Sequence, residues 1–204
     1  MRLPLILFLL AAVMPVFFGK VRSAPVWLSL QAVALGWNGI VHHESLSPHA
    51  LVVLAEVIAA RAVVVPMLLR RAILGRHEPN LDLMPSNLFA WAIGIALIVL
   101  AFEFGGAAMA DVGALALGAV GAMVAVALLL LSTNDSPPAQ LVALLYMENA
   151  IAVFESLLPE PWPLPVHAAL TLAYLATVAV GSRLIGSPDA LVAGIAPATR
   201  EETS

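Results

Sequence analysis

Four ionisable residues lie three or more residues inside stretches otherwise too apolar to carry charge, and any chemistry has to be sought there. Glu56 and Arg61 fall in the segment Ala50–Leu69, and Glu148 and Glu155 in Ala139–Leu158. A charged side chain at the centre of a membrane helix costs roughly 2.5–3.5 kcal/mol on insertion scales, so each needs a partner or a task. Glu148 and Glu155 are seven residues apart, nearly two full helical turns, and so share a face; Asn149 and Ser156 repeat that spacing beside them. A carboxylate on such a stripe, shielded from water, can take up a proton and pass it on. The structural alternative is a hydrogen bond or ion pair that holds helices together, or a helix-end residue reaching out to water.

Glu56 and Arg61 are five residues apart. On an α-helix that separation turns them about 140° from one another, so each is expected to look to a different neighbour. Pro66 has no amide hydrogen and pushes the helix away from the carbonyl of Ala62, which leaves an acceptor free next to Arg61. At membrane depth such a break is tolerated where it lines a cavity or is buried against protein. Arg61 beside it, facing carboxylates on another helix, reads as a charge element of an ion path. Its basicity is too high for it to release a proton itself.

The elements that must position these residues follow from composition. Of 204 residues, 62% are hydrophobic and 11% charged, against about 45–50% and about 25% in soluble domains. The chain therefore reads as an all-α, polytopic membrane protein. Seven apolar stretches are expected as spans, near Leu3–Phe18, Pro25–Val41, Ala50–Leu69, Asn87–Phe104, Val112–Leu131, Ala139–Leu158 and Val166–Ile185, followed by a polar tail over 186–204. The breaks between them carry Gly, Pro, Asn or charge, where a helix stops. The first stretch has the alternative of a cleaved leader, but a cut after Ala24 would put Arg22 where a small residue belongs. Lys20, Arg22, Arg70, Arg71, Arg76, Arg183 and Arg200 fall on one side of this scheme and Arg2 alone on the other. The positive-inside rule then puts the N-terminus outside and the C-terminus and tail in the cytoplasm, which agrees with an odd number of spans.

Other chemistry is sparse. The absence of cysteine excludes thiolate metal sites and iron–sulfur clusters. His42, His43, His49 and His77 fall in loops or at span ends, and His167 alone begins a span, which does not make a haem site. Glu103 and Asp111 flank a tight GGAAMA connection and read as boundary charges. Trp27, Trp37, Trp91 and Trp162 read as interfacial anchors. The Ala- and Gly-rich run ALALGAVGAMVAVALLLL reads as a packing surface. There is no nucleotide loop, nucleophile–base pair or metal constellation, so no cofactor is expected, and the net charge of -4 leaves no nucleic-acid footprint.

Three segments carry a resemblance: IAARAVVVPMLLRRAI, ALLYMENAIAVFESLL and GSRLIGSPDALVAGI. In order and spacing they resemble the hydrogenase-4 component E family, seven-helix membrane subunits of group 4 hydrogenase and formate hydrogenlyase complexes. The last three helices look like the small K subunit of NADH-quinone oxidoreductase, whose glutamate motif is echoed by YMEN. The resemblance implies a non-catalytic subunit of the bacterial inner membrane. It would lie between antiporter-like subunits and a quinone- or hydrogenase-connecting subunit, and would carry part of a proton path. Glu148 then matches the family's intramembrane glutamate, with Arg61, Glu155 and Glu56 as further members of the path. Two positions depart from the pattern: relatives commonly carry lysine where Arg61 stands, and an acid early in the last helix, where this chain reads HAALTLAYLA. Two other functions remain open, a stand-alone ion or small-solute transporter and a purely structural scaffold.

Overall fold

A computed structural model describes residues 3–42, 48–74, 82–84, 88–155, 157–158 and 162–186. Arg2, His43, Arg76, His77, Ser156, Arg200 and the tail from residue 187 lie outside the described residues, as do the side chains of His42 and His49. The described residues form helices and no strand: α1 (Leu3–Phe18), a 3-10 turn (Val21–Ser23), α2 (Ala24–His42), α3 (Pro48–Glu56), a π-helical segment (Val57–Val64), α4 (Val65–Leu74), α5 (Leu88–Ala108), α6 (Asp111–Thr133), α7 (Pro137–Glu155) and α8 (Leu164–Gly186). Because α3, the π segment and α4 are continuous, these make seven rods.

Local chemistry sets the ends. Prolines stand in the first turns of α3, α7 and α8, where a missing amide hydrogen costs nothing. The third rod runs on past Leu69 to Leu74, so Arg70 and Arg71 ride on its final turns, where cations suit the negative end of the helix dipole. The helix α7 stops at Glu155, short of Leu158. Two tight turns follow, with the amides of Leu157 and Leu158 donating to the carbonyls of Phe154 and Glu155 at 3.0 Å each.

Five rods are long and apolar enough to cross a membrane: Val21–Val41, Ala50–Leu74, Leu88–Ala108, Asp111–Thr133 and Leu164–Ile185. The first rod is apolar but has only 16 residues. The remaining rod, α7, is diluted by Gln140, Glu148, Asn149 and Glu155 and is instead the most enclosed: Ala139, Val142, Ala143, Leu145, Tyr146, Ala150 and Val153 are all fully buried. The outer faces of the bundle stay greasy. Leu88, Phe89, Val99, Leu100 and Phe104 of α5, and Leu172 and Val180 of α8, are exposed. A protein in water does not leave so much apolar surface uncovered, and with the five long apolar helices this makes the chain a multi-pass membrane protein.

Contacts between connections define the two ends of the bundle. The amide of Leu83 donates to the carbonyl of Gly19 (3.3 Å), and the side-chain amide of Asn134 donates to the carbonyls of Asp82 and Leu83 (3.2 and 2.9 Å). The first, third and fifth connections therefore meet. Late α8 joins them, since Gly181 packs against the side chain of Leu141 near the start of α7. Lys20, Arg22, Arg70, Arg71 and Arg183 all gather at this end and are exposed. The hairpin of α5 and α6 closes the other end, where small residues let the backbones touch. A methyl group added to Gly105 would lie 2.6 Å from the carbonyl oxygen of Ala114 and 2.8 Å from the nitrogen of Gly118.

Candidate functional site

Four of the five long rods have their midpoints within one residue of Gln31, Arg61, Met123 or Tyr174; α5, with Ile98 at its centre, is the exception. These four residues and the middle of α7 meet in one buried polar cluster.

Arg61 is its hub, with only 5% of its surface exposed. One guanidinium nitrogen, Nη1, donates to the side-chain oxygen of Asn149 (3.0 Å) and to the backbone carbonyl of Glu148 (3.4 Å). The guanidinium carbon lies 4.4 Å from the centre of the Tyr174 ring, a cation–π contact. Nε lies 3.7 Å from Oε1 of Glu56, an ion pair too long to be a hydrogen bond.

That last contact corrects the expectation that Glu56 and Arg61 look to different neighbours. The expectation assumed α-helical geometry, whereas Arg61 lies in the π-helical segment that begins directly after Glu56. Its hydrogen bonds run from residue i to i+5, so residue 61 comes round above residue 56. Pro66 acts as the sequence requires. The carbonyl of Ala62 is met across the helix pair by the hydroxyl of Ser29 at 2.9 Å, whose single hydrogen is shared with the carbonyl of Pro25 at 3.1 Å.

Asn149 ties the hub to α2. Its amide donates to Oε1 of Gln31 (2.8 Å), and the Gln31 amide in turn points at the sulfur of Met123 (3.4 Å). Both Asn149 and Gln31 are fully buried. Asn149→Ala would leave an amide oxygen on Gln31 and a donor on Arg61 unmade in an apolar interior, and is expected to cost about 2–4 kcal/mol. A thermal melt of the detergent-solubilised protein checks this.

Glu148 and Glu155 share a face of α7, as their spacing requires, and the structure turns that face to α8. Oε1 of Glu148 accepts a hydrogen bond from the hydroxyl of Thr177 (2.7 Å), while Oε2 is buried with no hydrogen-bond partner among the described residues. Arg61 meets the backbone of Glu148 and not its carboxylate, although its charge acts on that carboxylate from nearby. Glu155 belongs to a separate cluster at the far end of α7. Its Oε1 lies 2.8 Å from Nε2 of His167 and accepts the amide of Trp162 (3.0 Å), so it ties the α7–α8 connection together.

Sequence reasoning misses Gln31, Tyr174 and Thr177. Gln31 has a usable signal, being a lone amide in the middle of an apolar stretch; a tyrosine or threonine in such a stretch has none. Compared with known proteins, the chain matches no family model, no curated protein and no solved structure.

Proposed function

We propose that this chain is a non-catalytic membrane-arm subunit of a redox-driven, proton-translocating oxidoreductase complex, similar to group 4 hydrogenases and respiratory complex I, in a bacterial inner membrane. One observation carries this reading: halfway along the rods of a largely apolar bundle, the Arg61 guanidinium pairs with the Glu56 carboxylate and reaches the backbone of Glu148, whose own carboxylate is held by Thr177. Intramembrane charge of this kind marks ion pathways. Glu148 is the protonatable station, Arg61 its counter-charge, Glu56 the second acid at the hub, and Glu155 with His167 a separate station at one end.

In this reading all seven rods cross the membrane, with the N-terminus outside and the C-terminus in the cytoplasm. The meeting of the first, third and fifth connections supports it, and so do the five exposed basic residues at that same end. The apolar faces of α5 and α8 are available to lipid and to neighbours, proposed as an antiporter-like subunit and a quinone- or hydrogenase-connecting subunit.

The test is purification of the full chain from its membrane in mild detergent, with every co-purifying chain identified. An antiporter-like chain together with a nickel- or quinone-site subunit is expected. A lone homo-oligomer would overturn the reading and favour a stand-alone transporter.

A further inference from the structure

Glu103 stands apart from the other acids. Read from the sequence it is a boundary charge, one residue from the end of a stretch closing at Phe104. In the structure α5 continues to Ala108. A rod of 21 residues spans about 31 Å, the thickness of a membrane's hydrocarbon core, so Glu103 lies about 7.5 Å inside it. The hairpin partner agrees: a methyl group on Gly118 would run into the ring of Phe102, and Gly118 is about 10 Å along α6 from Asp111.

At that depth Glu103 is exposed on the outward face of α5, beside the exposed Val99, Leu100 and Phe104. Among the described residues it has no hydrogen bond and no ion pair. Neither α1 nor α6, whose residues touch α5, carries an ionisable side chain apart from Asp111 at the start of α6. Glutamate lacks the long stem with which lysine and arginine reach water from within a bilayer. Acids inside membrane spans are costly, and they pair or face protein in place of lipid.

We propose that the outer face of α5 is a subunit interface, occupied by a membrane helix of a different chain that presents a lysine or arginine at the level of Glu103. The charge on this chain decides against a second copy of itself. Its exposed basic residues, Lys20, Arg22, Arg70, Arg71 and Arg183 among those described, gather at the end where α5 begins, about 22 Å along the helix from Glu103, and Arg61 is enclosed in its own cluster. A copy inserted in the same sense therefore brings no cation to this level. The inference depends on α5 crossing a membrane and on nothing about proton translocation.

The chain has no cysteine, so one introduced as Val99→Cys is unique and lies one turn from Glu103 on the same face. Carrying a benzophenone maleimide, this variant is irradiated in its native membrane with the full chain present, and the adducts are mapped by mass spectrometry. The expected adduct is on a membrane segment of a different chain, with a lysine or arginine within two helical turns of the linked residue. Adding Glu103→Lys should lower its yield about tenfold or more, because like charges then meet, and Glu103→Gln should lower it less. Neither substitution should move the melting temperature of the purified chain, since Glu103 touches no partner within it. Adducts with lipid alone, with a second copy of this chain or with a segment lacking a basic residue would overturn the proposal, as would yields that ignore both substitutions. A basic partner that is neither antiporter-like nor a quinone- or hydrogenase-connecting subunit would leave this interface standing and count against the proposed function.

Discussion

In the proposed complex, Glu148→Gln is expected to lower proton translocation on the order of tenfold or more while assembly survives. Glutamine keeps the shape of the side chain, and its amide oxygen can still accept the hydrogen bond that Thr177 donates. The backbone carbonyl of Glu148, which Arg61 contacts, is untouched. What disappears is the ability to gain and lose a proton. Dye-quenching measurements on proteoliposomes, with a native gel of the same preparation, separate the two effects. Unchanged pumping would remove Glu148 from the path, and loss of the complex would point to a scaffold.

Arg61→Met is expected to have the largest effect on folding, about 3–5 kcal/mol, as for other buried charges deprived of a partner. It removes the donor to Asn149, the cation over Tyr174 and the only positive charge beside Glu56 and Glu148 among the described residues. Adding Glu56→Gln should recover part of the loss, because one fewer acid is left without a counter-charge. Arg61→Lys should be milder than either, since it keeps the charge but not the forked donor. The yield of folded protein in membranes and its melting temperature check the order.

Much of the framework is legible in the sequence because the physics behind it is local. Apolar runs bounded by Gly, Pro and charge place every rod, and the i to i+7 spacing puts Glu148 and Glu155 on one face. Pro66 likewise announces the free carbonyl that Ser29 fills. The contact between Glu56 and Arg61 escapes such reasoning because it depends on a wider helical turn, and no residue type marks a π-helical segment. The roles of Tyr174 and Thr177 depend on which helix lies opposite, which hydropathy does not encode. The shortness of α1 and the polarity of α7 mean that composition alone identifies five crossing helices and not seven.

With the rods crossing the membrane as proposed, the place of Arg61, Gln31 and Tyr174 halfway along them has an electrical consequence. Moving one elementary charge across the whole membrane exchanges about 2.3 kcal/mol per ~100 mV of potential. A proton reaching the middle from either side crosses roughly half of that drop, so its binding would shift by about 1.2 kcal/mol per ~100 mV. The cluster would then respond to the membrane voltage as well as to the proton concentrations on either side.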